Sequence, residues 1–316
     1  MARIILGYRQ DWIGNTTNIV DTTYACSFAR ELRALGHELL EVGEGHSITN
    51  IDKLNSLYLS KNFDLLIDLD CGRGTDGKLV FQNQDGNIKI PTAVWFIDSH
   101  GYPSLHHRMA KNYSHVFFAV WDKRDIFEKH PSAHWCPNAT DANWFNYSEW
   151  MDDYLDPDFT VGFFGSKDGL DRADIIKSIC DRNNESSSTK LTYDIREIGK
   201  SWKVRWPRTA QAMANCKILF NKGQKHDGPN QRIMESMIMR KPLITDRDKR
   251  DGMRELFKEG EHYLGWENEA EIANQMRWCL EHKDQAESMA ERAYLEVHNK
   301  HQIRNRVEQI LQVCLK

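Results

Sequence analysis

Short apolar runs alternate with amphipathic stretches from the start of the chain onwards. The clearest strand candidates are Arg3–Gly7, Glu38–Val42, Asp64–Asp68, Thr92–Ile97 and His115–Val120. Helical patterns lie between them, and 24–35 is the clearest because its apolar positions recur at helical spacing and Gly36 follows as a stop. Because strands and helices alternate, the pattern predicts an α/β protein whose parallel sheet is covered by helices on both faces.

The same alternation begins a second time in the C-terminal half. Its strands are predicted at Thr160–Gly165, Ile218–Asn221 and Leu243–Thr245, and its last helices at about 268–282, 284–298 and 301–315. A stretch without a clean period, 144–158, separates the two series and is predicted to be the linker. We therefore expect two doubly wound, Rossmann-like domains, 1–150 and 151–297, followed by a C-terminal helical segment at 298–316. Two such domains facing each other form a central cleft at the carboxyl ends of their strands.

Length, charge and hydropathy favour a two-domain globular protein over a nucleic-acid-binding or membrane-spanning one. The chain has 316 residues, of which 40% are apolar and 28% charged, with a formal net charge of −4. Two domains of this size each bury a core of their own. The nearly balanced charge provides no strong field for nucleic acid or a membrane surface. No apolar run approaches the length of a membrane span, and the apolar part of the N-terminus is too short for a signal peptide.

The seven cysteines are scattered along the chain. There is no CxxC pair and no cluster of His and Cys residues. This spacing argues against a zinc site or a disulfide framework and favours a reducing compartment. We therefore expect the protein to be cytoplasmic.

The segment 227–246 carries the strongest chemical signal. Asp227 lies in a Gly/Pro turn that is predicted to open a helix, and Glu235 lies on that helix seven residues further on. Free backbone N–H groups and the helix dipole at such a turn suit a phosphate. Arg232 adds a planar cation, and Glu235 is placed to accept hydrogen bonds from a ribose diol. These parts predict a nucleotide-diphosphate site, although a Gly-Pro pair before a helix is often only a helix start.

The segment resembles the acid-x7-acid signature of two-domain, retaining-type glycosyltransferases, with Asp227 where most members carry Glu. The wider C-terminal half resembles the CgeB-like (spore protein) branch of that group. Three further stretches carry the resemblance, namely Tyr263–Trp266, Leu280–Tyr294 and His301–Arg306. The resemblance implies the GT-B architecture, retention of anomeric configuration, and a final helix that crosses back onto the N-terminal domain. Because Asp is shorter than Glu, the first carboxylate reaches less far than in the family.

Glycosyl transfer from a nucleotide sugar builds negative charge on the leaving diphosphate, so catalysis requires fixed positive groups around it. A helix N-terminus with Arg and Lys is an alternative to a metal ion, and this chain offers that alternative. The candidates on the phosphate side are Gly165, Ser166, Lys167, Arg172, Lys222 and Arg232. We therefore predict a metal-independent enzyme that uses a nucleotide-diphosphate sugar as co-substrate and holds no further cofactor.

Four cations and two tryptophans are interleaved between Gly199 and Arg208. Such a pattern favours stacking on a base together with phosphate contact. In the family this position lies beside the nucleotide base, so Trp202 is the candidate donor-base platform. A patch for a nucleic-acid or phosphorylated acceptor, or a plain exposed loop, would show the same pattern.

Two short segments of the N-terminal half hold candidate site residues. Asp98 and His100 follow a buried strand and are expected at its carboxyl end, where His titrates near neutrality and Asp orients it or takes a proton. With Asp227 they form the predicted catalytic set. Gly14 and Asn15, in the loop after the first strand, are candidates for binding the acceptor.

A short Asp-x-Asp match occurs at Asp68 and Asp70, at the end of a predicted strand. This spelling is the metal-binding signature of the other glycosyltransferase fold. Matches of three residues arise often by chance, and this one lies within a strand–helix series. We therefore predict no metal site here.

These observations lead to one function with two alternatives. The first hypothesis is a glycosyltransferase that moves a sugar from a nucleotide-diphosphate sugar to an acceptor that the sequence leaves open. Glycan, protein, small molecule and a modified nucleobase in DNA are all compatible with it. The alternatives are a nucleotide-sugar epimerase on the same fold and a binding protein that has kept the site without the chemistry.

Overall fold

The structure is a computed structural model. It describes residues 1–8, 24–43, 62–70, 90–97, 99, 101–150, 152–165, 172–186, 190–197, 205–223, 229–247 and 252–316. The chain divides into two compact units, one formed by 1–138 together with 303–316 and the other by 139–302. The predicted α/β architecture is confirmed, because each unit contains a parallel sheet.

The first unit contains a parallel sheet of order β2-β1-β3-β4-β5-β6. Its strands are β1 (Arg3–Gly7), β2 (Glu38–Val42), β3 (Leu65–Asp70), β4 (Thr92–Phe96), β5 (His115–Phe118) and β6 (Ala133–Trp135). Its helices are α1 (Tyr24–Ala34), α2 (Pro103–Ala110) and a 3-10 helix at Trp121–Phe127, and the chain returns to this unit with its last helix, Ile303–Cys314.

Burial explains why the central strands of the first unit read as nearly continuous apolar runs. Every residue of β4 is buried, and Trp95 and Phe96 are fully so. Strands covered on both faces lack the alternation of a half-exposed sheet. Gly36, which ends α1, adopts a φ of +83°, a conformation that a side chain disfavours.

The second unit contains a parallel sheet of order β11-β10-β9-β7-β8. Its strands are β7 (Phe159–Gly165), β8 (Tyr193–Glu197), β9 (Cys216–Asn221), β10 (Leu243–Asp246) and β11 (Leu264–Trp266). Its helices are α3 (Arg172–Ser186), α4 (Arg205–Ala214), α5 (Gln231–Ile238), α6 (Gly252–Leu256), α7 (Glu269–Glu281), α8 (Lys283–Lys300) and a 3-10 helix at Tyr147–Glu149. We number the last helix, Ile303–Cys314, α9.

The division between the units differs from the predicted boundary at residue 150. The first unit ends at Asn138, and residues 139–150 belong to the second unit. The reason is packing, because Phe145 is buried in the second core and Trp144, Tyr147 and Trp150 pack against it. These aromatic residues lacked a helical or strand period, and the sequence analysis therefore placed them in a linker.

The last helix, α9, is part of the first unit, as the crossing-back arrangement requires. It packs against α1 and carries the buried residue Arg306. Arg306 Nε donates to the carbonyl oxygen of Pro137 at 2.7 Å, and Gln309 Nε2 donates to that of Trp135, also at 2.7 Å. The helix is therefore fixed by polar bonds to the backbone as well as by apolar packing.

Gly162 occupies a crowded position in β7. A Cβ atom there would lie 2.6 Å from Cys216 Sγ and 2.6 Å from the ring of Phe164, and both neighbours are buried. We expect Gly162→Ala to lower the free energy of unfolding by about 1–3 kcal/mol, because overpacking forces buried side chains to shift. Urea denaturation measures this, and the double variant with Cys216→Ala should recover part of the loss. Wild-type stability in Gly162→Ala would contradict the expected overlap.

Candidate functional site at the carboxyl edge of the second sheet

The strand register brings several candidate residues to one edge of the second sheet. Phe163 of β7 pairs with Phe220 of β9, and Asn221 pairs with Thr245 of β10. The carboxyl ends of these three neighbouring strands therefore lie side by side. Gly165, the last residue of β7, lies at this edge. Parallel sheets bind ligands at this edge.

The helix predicted after the Gly/Pro turn is confirmed as α5, which begins at Gln231. Asn230 is its N-cap, and the Asn230 side-chain oxygen accepts a hydrogen bond from the Ile233 N–H at 3.2 Å. The cap fixes the first turn, where the helix dipole favours negative charge. An anion at this end of α5 would therefore meet backbone donors that are already ordered.

Arg232 and Glu235 form an ion pair on α5. Arg232 Nη1 and Glu235 Oε2 lie 2.5 Å apart, and 17% of the arginine side chain is exposed against 2% of the glutamate side chain. Burial lowers the pKa of Arg232 and the neighbouring carboxylate of Glu235 opposes that shift. The glutamate therefore holds a cation at a largely buried position, and the arginine is the more exposed partner of the pair. The predicted contact of Glu235 with a ribose diol stays a prediction.

Lys222 follows β9 at the same edge and is half-buried. The residues on either side of it are fixed by hydrogen bonds. Asn221 Nδ2 donates to Thr245 Oγ1 at 2.9 Å, and the Gly223 N–H donates to Asp246 Oδ1 at 2.8 Å. Lys222 is thus a cation on an anchored turn, which suits a role in phosphate binding.

The other predicted site residues lie outside the described part of the chain. They are Gly14, Asn15, Asp98, His100, Ser166, Lys167, Trp202 and Asp227. Their roles stay predictions. Arg172, the first residue of α3, is buried.

In the first unit, the structure describes one residue of the segment that holds Asp98 and His100 in the sequence. Ser99 lies between them in sequence and is fully buried. Its hydroxyl lies 3.2 Å from Nδ1 of His106 on α2, and the His106 ring stacks on Phe96 with ring centroids 4.3 Å apart. His106 therefore has a structural role in this loop.

Asp68 of the Asp-x-Asp match has a structural partner. It is buried, and its carboxylate accepts a hydrogen bond from the hydroxyl of Tyr113. Within the described ranges, no three His, Cys, Asp or Glu residues are arranged so that they could hold a metal ion. The partner of Asp68 gives this carboxylate a role in packing the first unit.

Six of the seven cysteines are described, and all six are buried without forming a disulfide. Burial raises the pKa of Cys136, Cys180, Cys216, Cys279 and Cys314 to about 12. A thiol with such a pKa is protonated at neutral pH and is a poor nucleophile. These five cysteines are core residues and not catalytic ones.

Three polar residues that build this edge are not among the residues predicted from the sequence. They are Asn221, Thr245 and the N-cap Asn230, whose side-chain nitrogen donates to Asn221 Oδ1 at 3.3 Å. Asn221 and Thr245 are 2% and 1% exposed. A signal existed, because a polar residue ends each of two apolar strands, ILFN and LITD, at the edge where ligands bind.

A comparison with protein families agrees with this location. Residues 172–312 match the model of a family described as glycosyl transferase-like. The matched range contains Lys222, α5 with Arg232 and Glu235, and the ends of β9 and β10. No curated protein matches this chain by sequence.

Solved structures resemble the chain over nearly its full length. A glycosyltransferase from Rickettsia africae matches with a TM-score of 0.65 and 10% identity, covering 99% of this chain and 97% of that one. Anabaena HepE in complex with UDP-glucose matches with a TM-score of 0.58 and 12% identity, covering 99% of both chains. The UDP-GlcNAc 2-epimerase of Neisseria meningitidis bound to UDP-GlcNAc matches with a TM-score of 0.57 and 11% identity, again covering 99% of both.

Identities this low establish the fold. The chain has the two-domain, Rossmann-like GT-B fold, and residues 172–312 are similar to the glycosyl transferase-like family. None of the helices described combines the length and hydropathy that a membrane span requires.

Proposed function

We propose that the protein is a glycosyltransferase that takes its sugar from a nucleotide-diphosphate sugar. One observation carries this proposal. The glycosyl transferase-like match covers the part of the second unit that holds α5 and the anchored turn of Lys222. The chemistry required at a departing diphosphate is present there, because the capped helix and two cations lie on neighbouring elements.

On the donor side, Lys222 and Arg232 contact the diphosphate in this proposal. Gly165 at the end of β7 is a further candidate contact, together with Ser166 and Lys167, which follow it in the sequence, and Trp202 is the candidate platform for the base. Glu235 holds Arg232 by the 2.5 Å ion pair and is the candidate acceptor for a ribose hydroxyl. The positive end of α5 and the two cations together stabilise the charge that grows on the leaving phosphate.

In the transfer step, an acceptor oxygen forms a bond to the anomeric carbon while the bond from that carbon to the diphosphate breaks. The electron pair of the broken bond leaves with the diphosphate, and the acceptor loses its proton. Asp98, His100 and Asp227 are the proposed catalytic residues, and His100 with Asp98 is the candidate proton acceptor. We propose that the step needs no metal ion and retains the anomeric configuration, as the resemblance implies.

A glycosyltransferase also binds an acceptor for the sugar. Gly14 and Asn15 are the candidate contacts, and glycan, protein, small molecule and modified nucleobase remain the candidate classes. We place the reaction in the cytoplasm, which the buried cysteines without disulfides support.

Two lysines on β9 and its end provide a matched test. Lys222 follows the carboxyl end of the strand, whereas Lys217 lies near its amino end and pairs with Asp156. We expect one diphosphate from a panel of UDP, GDP, ADP, CDP and dTDP to bind. Lys222→Ala should weaken that binding roughly tenfold and Lys217→Ala should not, because a charged hydrogen bond is lost only at the carboxyl edge. Calorimetry measures both constants.

If no nucleotide of the panel binds the wild type, the proposed function is wrong. If both variants bind the nucleotide equally well, the diphosphate lies elsewhere. Anomeric NMR of the transferred sugar then decides between retention and inversion, and chelator-treated enzyme tests the proposed independence from metal.

A nucleotide-sugar epimerase is the second candidate. The observation in its favour is the similarity of this fold to the UDP-GlcNAc 2-epimerase over 99% of both chains. An epimerase converts its sugar nucleotide without an acceptor, whereas a transferase consumes it only when an acceptor or water receives the sugar. Analysis of the sugar product in the absence of acceptor separates these two activities, and turnover of neither kind would indicate a binding protein.

A further inference from the structure

A chain of hydrogen bonds runs through four polar side chains at the carboxyl edge of the second sheet, of which Asn221 and Thr245 are buried and Asn230 and Asp246 half-buried. Asn230 Nδ2 donates to Asn221 Oδ1 at 3.3 Å, and Asn221 Nδ2 donates to Thr245 Oγ1 at 2.9 Å. The Thr245 hydroxyl in turn donates to Asp246 Oδ1 at 3.2 Å. The chain therefore joins the N-cap of α5 to the ends of β9 and β10.

The same oxygen of Asp246 also accepts the Gly223 N–H at 2.8 Å. Asp246 thus accepts hydrogen bonds from two parts of the edge. One is the turn that carries Lys222, and the other is the series of side chains that ends at Asn230. Both parts supply groups that the proposed function assigns to the diphosphate. A single carboxylate therefore ties the cation and the helix cap together.

The carboxylate also fixes the direction of the series. An ionised carboxylate only accepts hydrogen bonds, so the Thr245 hydroxyl must donate to Asp246. The oxygen of Thr245 is then left to accept from the amide nitrogen of Asn221. The amide oxygen of Asn221 consequently faces Asn230 and receives its nitrogen. This leaves the oxygen of Asn230 to cap α5 at the Ile233 N–H, as observed.

Because Asn221 and Thr245 in the middle of the series are buried, an error in its direction would leave their polar atoms without partners, which costs about 1–3 kcal/mol for each group. Asn221 is 2% exposed and Thr245 1% exposed. The arrangement of the cap and of the lysine turn is therefore set before any ligand arrives. Ordering groups in advance is what makes a charged ligand bind well, since less reorganisation is needed.

We propose that Asp246 is the positioning residue of the diphosphate subsite. This inference rests on the proposed function and deepens it. Asp246 holds the Lys222–Gly223 turn through the Gly223 amide and holds the N-terminus of α5 through Thr245, Asn221 and Asn230. It acts on the diphosphate and not on the nucleoside, because both structures that it orders serve the phosphates.

Calorimetry on the full chain tests this inference, with UDP standing here for the diphosphate of the panel that binds and uridine, as its competitor, for the matching nucleoside. Asp246→Ala removes the acceptor and should weaken UDP binding roughly tenfold while uridine binding stays unchanged. Asp246→Asn keeps an oxygen for the Gly223 N–H and should bind UDP with nearly wild-type affinity. Asp158→Ala is the matched control. The Asp158 carboxylate accepts a hydrogen bond from Asn215 Nδ2 at 2.9 Å, but it lies at the amino edge of the same sheet. We expect wild-type binding in that variant.

The inference is overturned if Asp246→Ala binds UDP like the wild type. It is equally overturned if Asp246→Ala weakens UDP and uridine to the same extent, because a general loss of structure would do that. Failure of Asp246→Asn to restore affinity would also overturn it, because the accepting oxygen would then not be what positions the subsite. A wild type that binds none of the nucleotide diphosphates would overturn the proposed function itself, and that result is visible before any variant is made.

Discussion

Glu235→Ala should lower the free energy of unfolding by about 3–5 kcal/mol, the range observed when one partner of a buried ion pair is removed. The glutamate side chain is 2% exposed and the arginine side chain 17% exposed. Removal of the carboxylate therefore leaves the charge of Arg232 largely buried without its partner. The expected fall in melting temperature is on the order of 10 °C. Thermal and urea unfolding measure it.

The double variant Arg232→Met/Glu235→Leu provides the matched control. Replacing both partners of a buried pair by apolar residues of similar volume is often neutral or stabilising. We therefore expect the double variant to recover most of the stability that Glu235→Ala loses. A double variant as unstable as the single one would mean that Glu235 stabilises the fold through contacts other than Arg232.

The expected loss of stability in Glu235→Ala means that ligand binding by Glu235 must be tested with a different variant. Loss of nucleotide binding in Glu235→Ala would not separate a contact with ribose from a damaged helix. Glu235→Gln keeps the size of the side chain and one oxygen acceptor, and it removes the charge. A variant that stays folded and binds UDP more weakly than the wild type would support a direct role, and unchanged affinity would restrict Glu235 to holding Arg232.

Lys241→Met should stabilise the protein by about 2–3 kcal/mol at pH 7. Lys241 is 7% exposed and lies just after α5, where Arg240 turns the backbone with a φ of +52°. Burial lowers the pKa of Lys241 from its ordinary value of 10.5 to about 8, although Cys216 and Glu287 oppose the shift. The wild type therefore folds with a cation in an unfavourable place, and the loss of its contact with the Tyr147 ring, at 5.3 Å, offsets only part of the gain.

The sign of the pH dependence follows from the lowered pKa. Between pH 8 and 10.5 the unfolded chain holds the lysine proton and the folded protein does not, so the stability of the wild type rises with pH through this window. Below pH 8 both states are protonated and the cost of the buried charge is fully present. The advantage of Lys241→Met should therefore be largest below pH 8 and should shrink towards pH 10.5.

Urea denaturation of the two proteins at several pH values measures this difference. Lys217→Met is the control, because 43% of the Lys217 side chain is exposed and its removal should change little. A stability difference that stays constant from pH 7 to 10.5 would show that folding does not lower the pKa of Lys241. A variant less stable than the wild type would show that the lysine has a favourable partner in the core.

The fold was accessible from the sequence wherever strands are buried on both faces. β1 lies at its predicted bounds, and β4 and β10 differ from prediction by one residue at one end. β2, a half-buried strand at one edge of the first sheet, also lies at its predicted bounds. Two strands at sheet edges were not predicted. β8 carries Asp194 and Arg196, which pair with each other, and β6 has only the three residues Ala133–Trp135. An edge strand needs no continuous apolar run, and three residues establish no period.

The candidate site was accessible only as a list of residue types. The Gly/Pro turn and the spacing of acids indicated α5 and its position, and the helix is confirmed. The spacing of Arg232 and Glu235 also matches a pair on one helix face, yet the sequence analysis gave each of them a separate ligand. Whether Arg232 or Glu235 is the more buried depends on the strands that lie beneath α5. The spacing of the two residues in the sequence does not reveal this.

The anchoring of the edge illustrates the same limit. Asn221 and Asp246 lie far apart in sequence, and only the pairing of β9 with β10 brings their neighbours together. Lys241 appears in the sequence beside Arg240 and Pro242, as an exposed turn would. Its burial follows from packing on Tyr147, in a stretch that carried no period at all.

The first unit is assembled from residues 1–138 and 303–316, whereas the second is one continuous segment. During synthesis on the ribosome, the strands of the first unit emerge early, but α9, which packs against α1, emerges after the whole second unit. Domains commonly complete themselves in the order in which they are made. Here the later unit is able to finish first, and the earlier one must wait, with the surface of α1 uncovered, until the last helix leaves the ribosome.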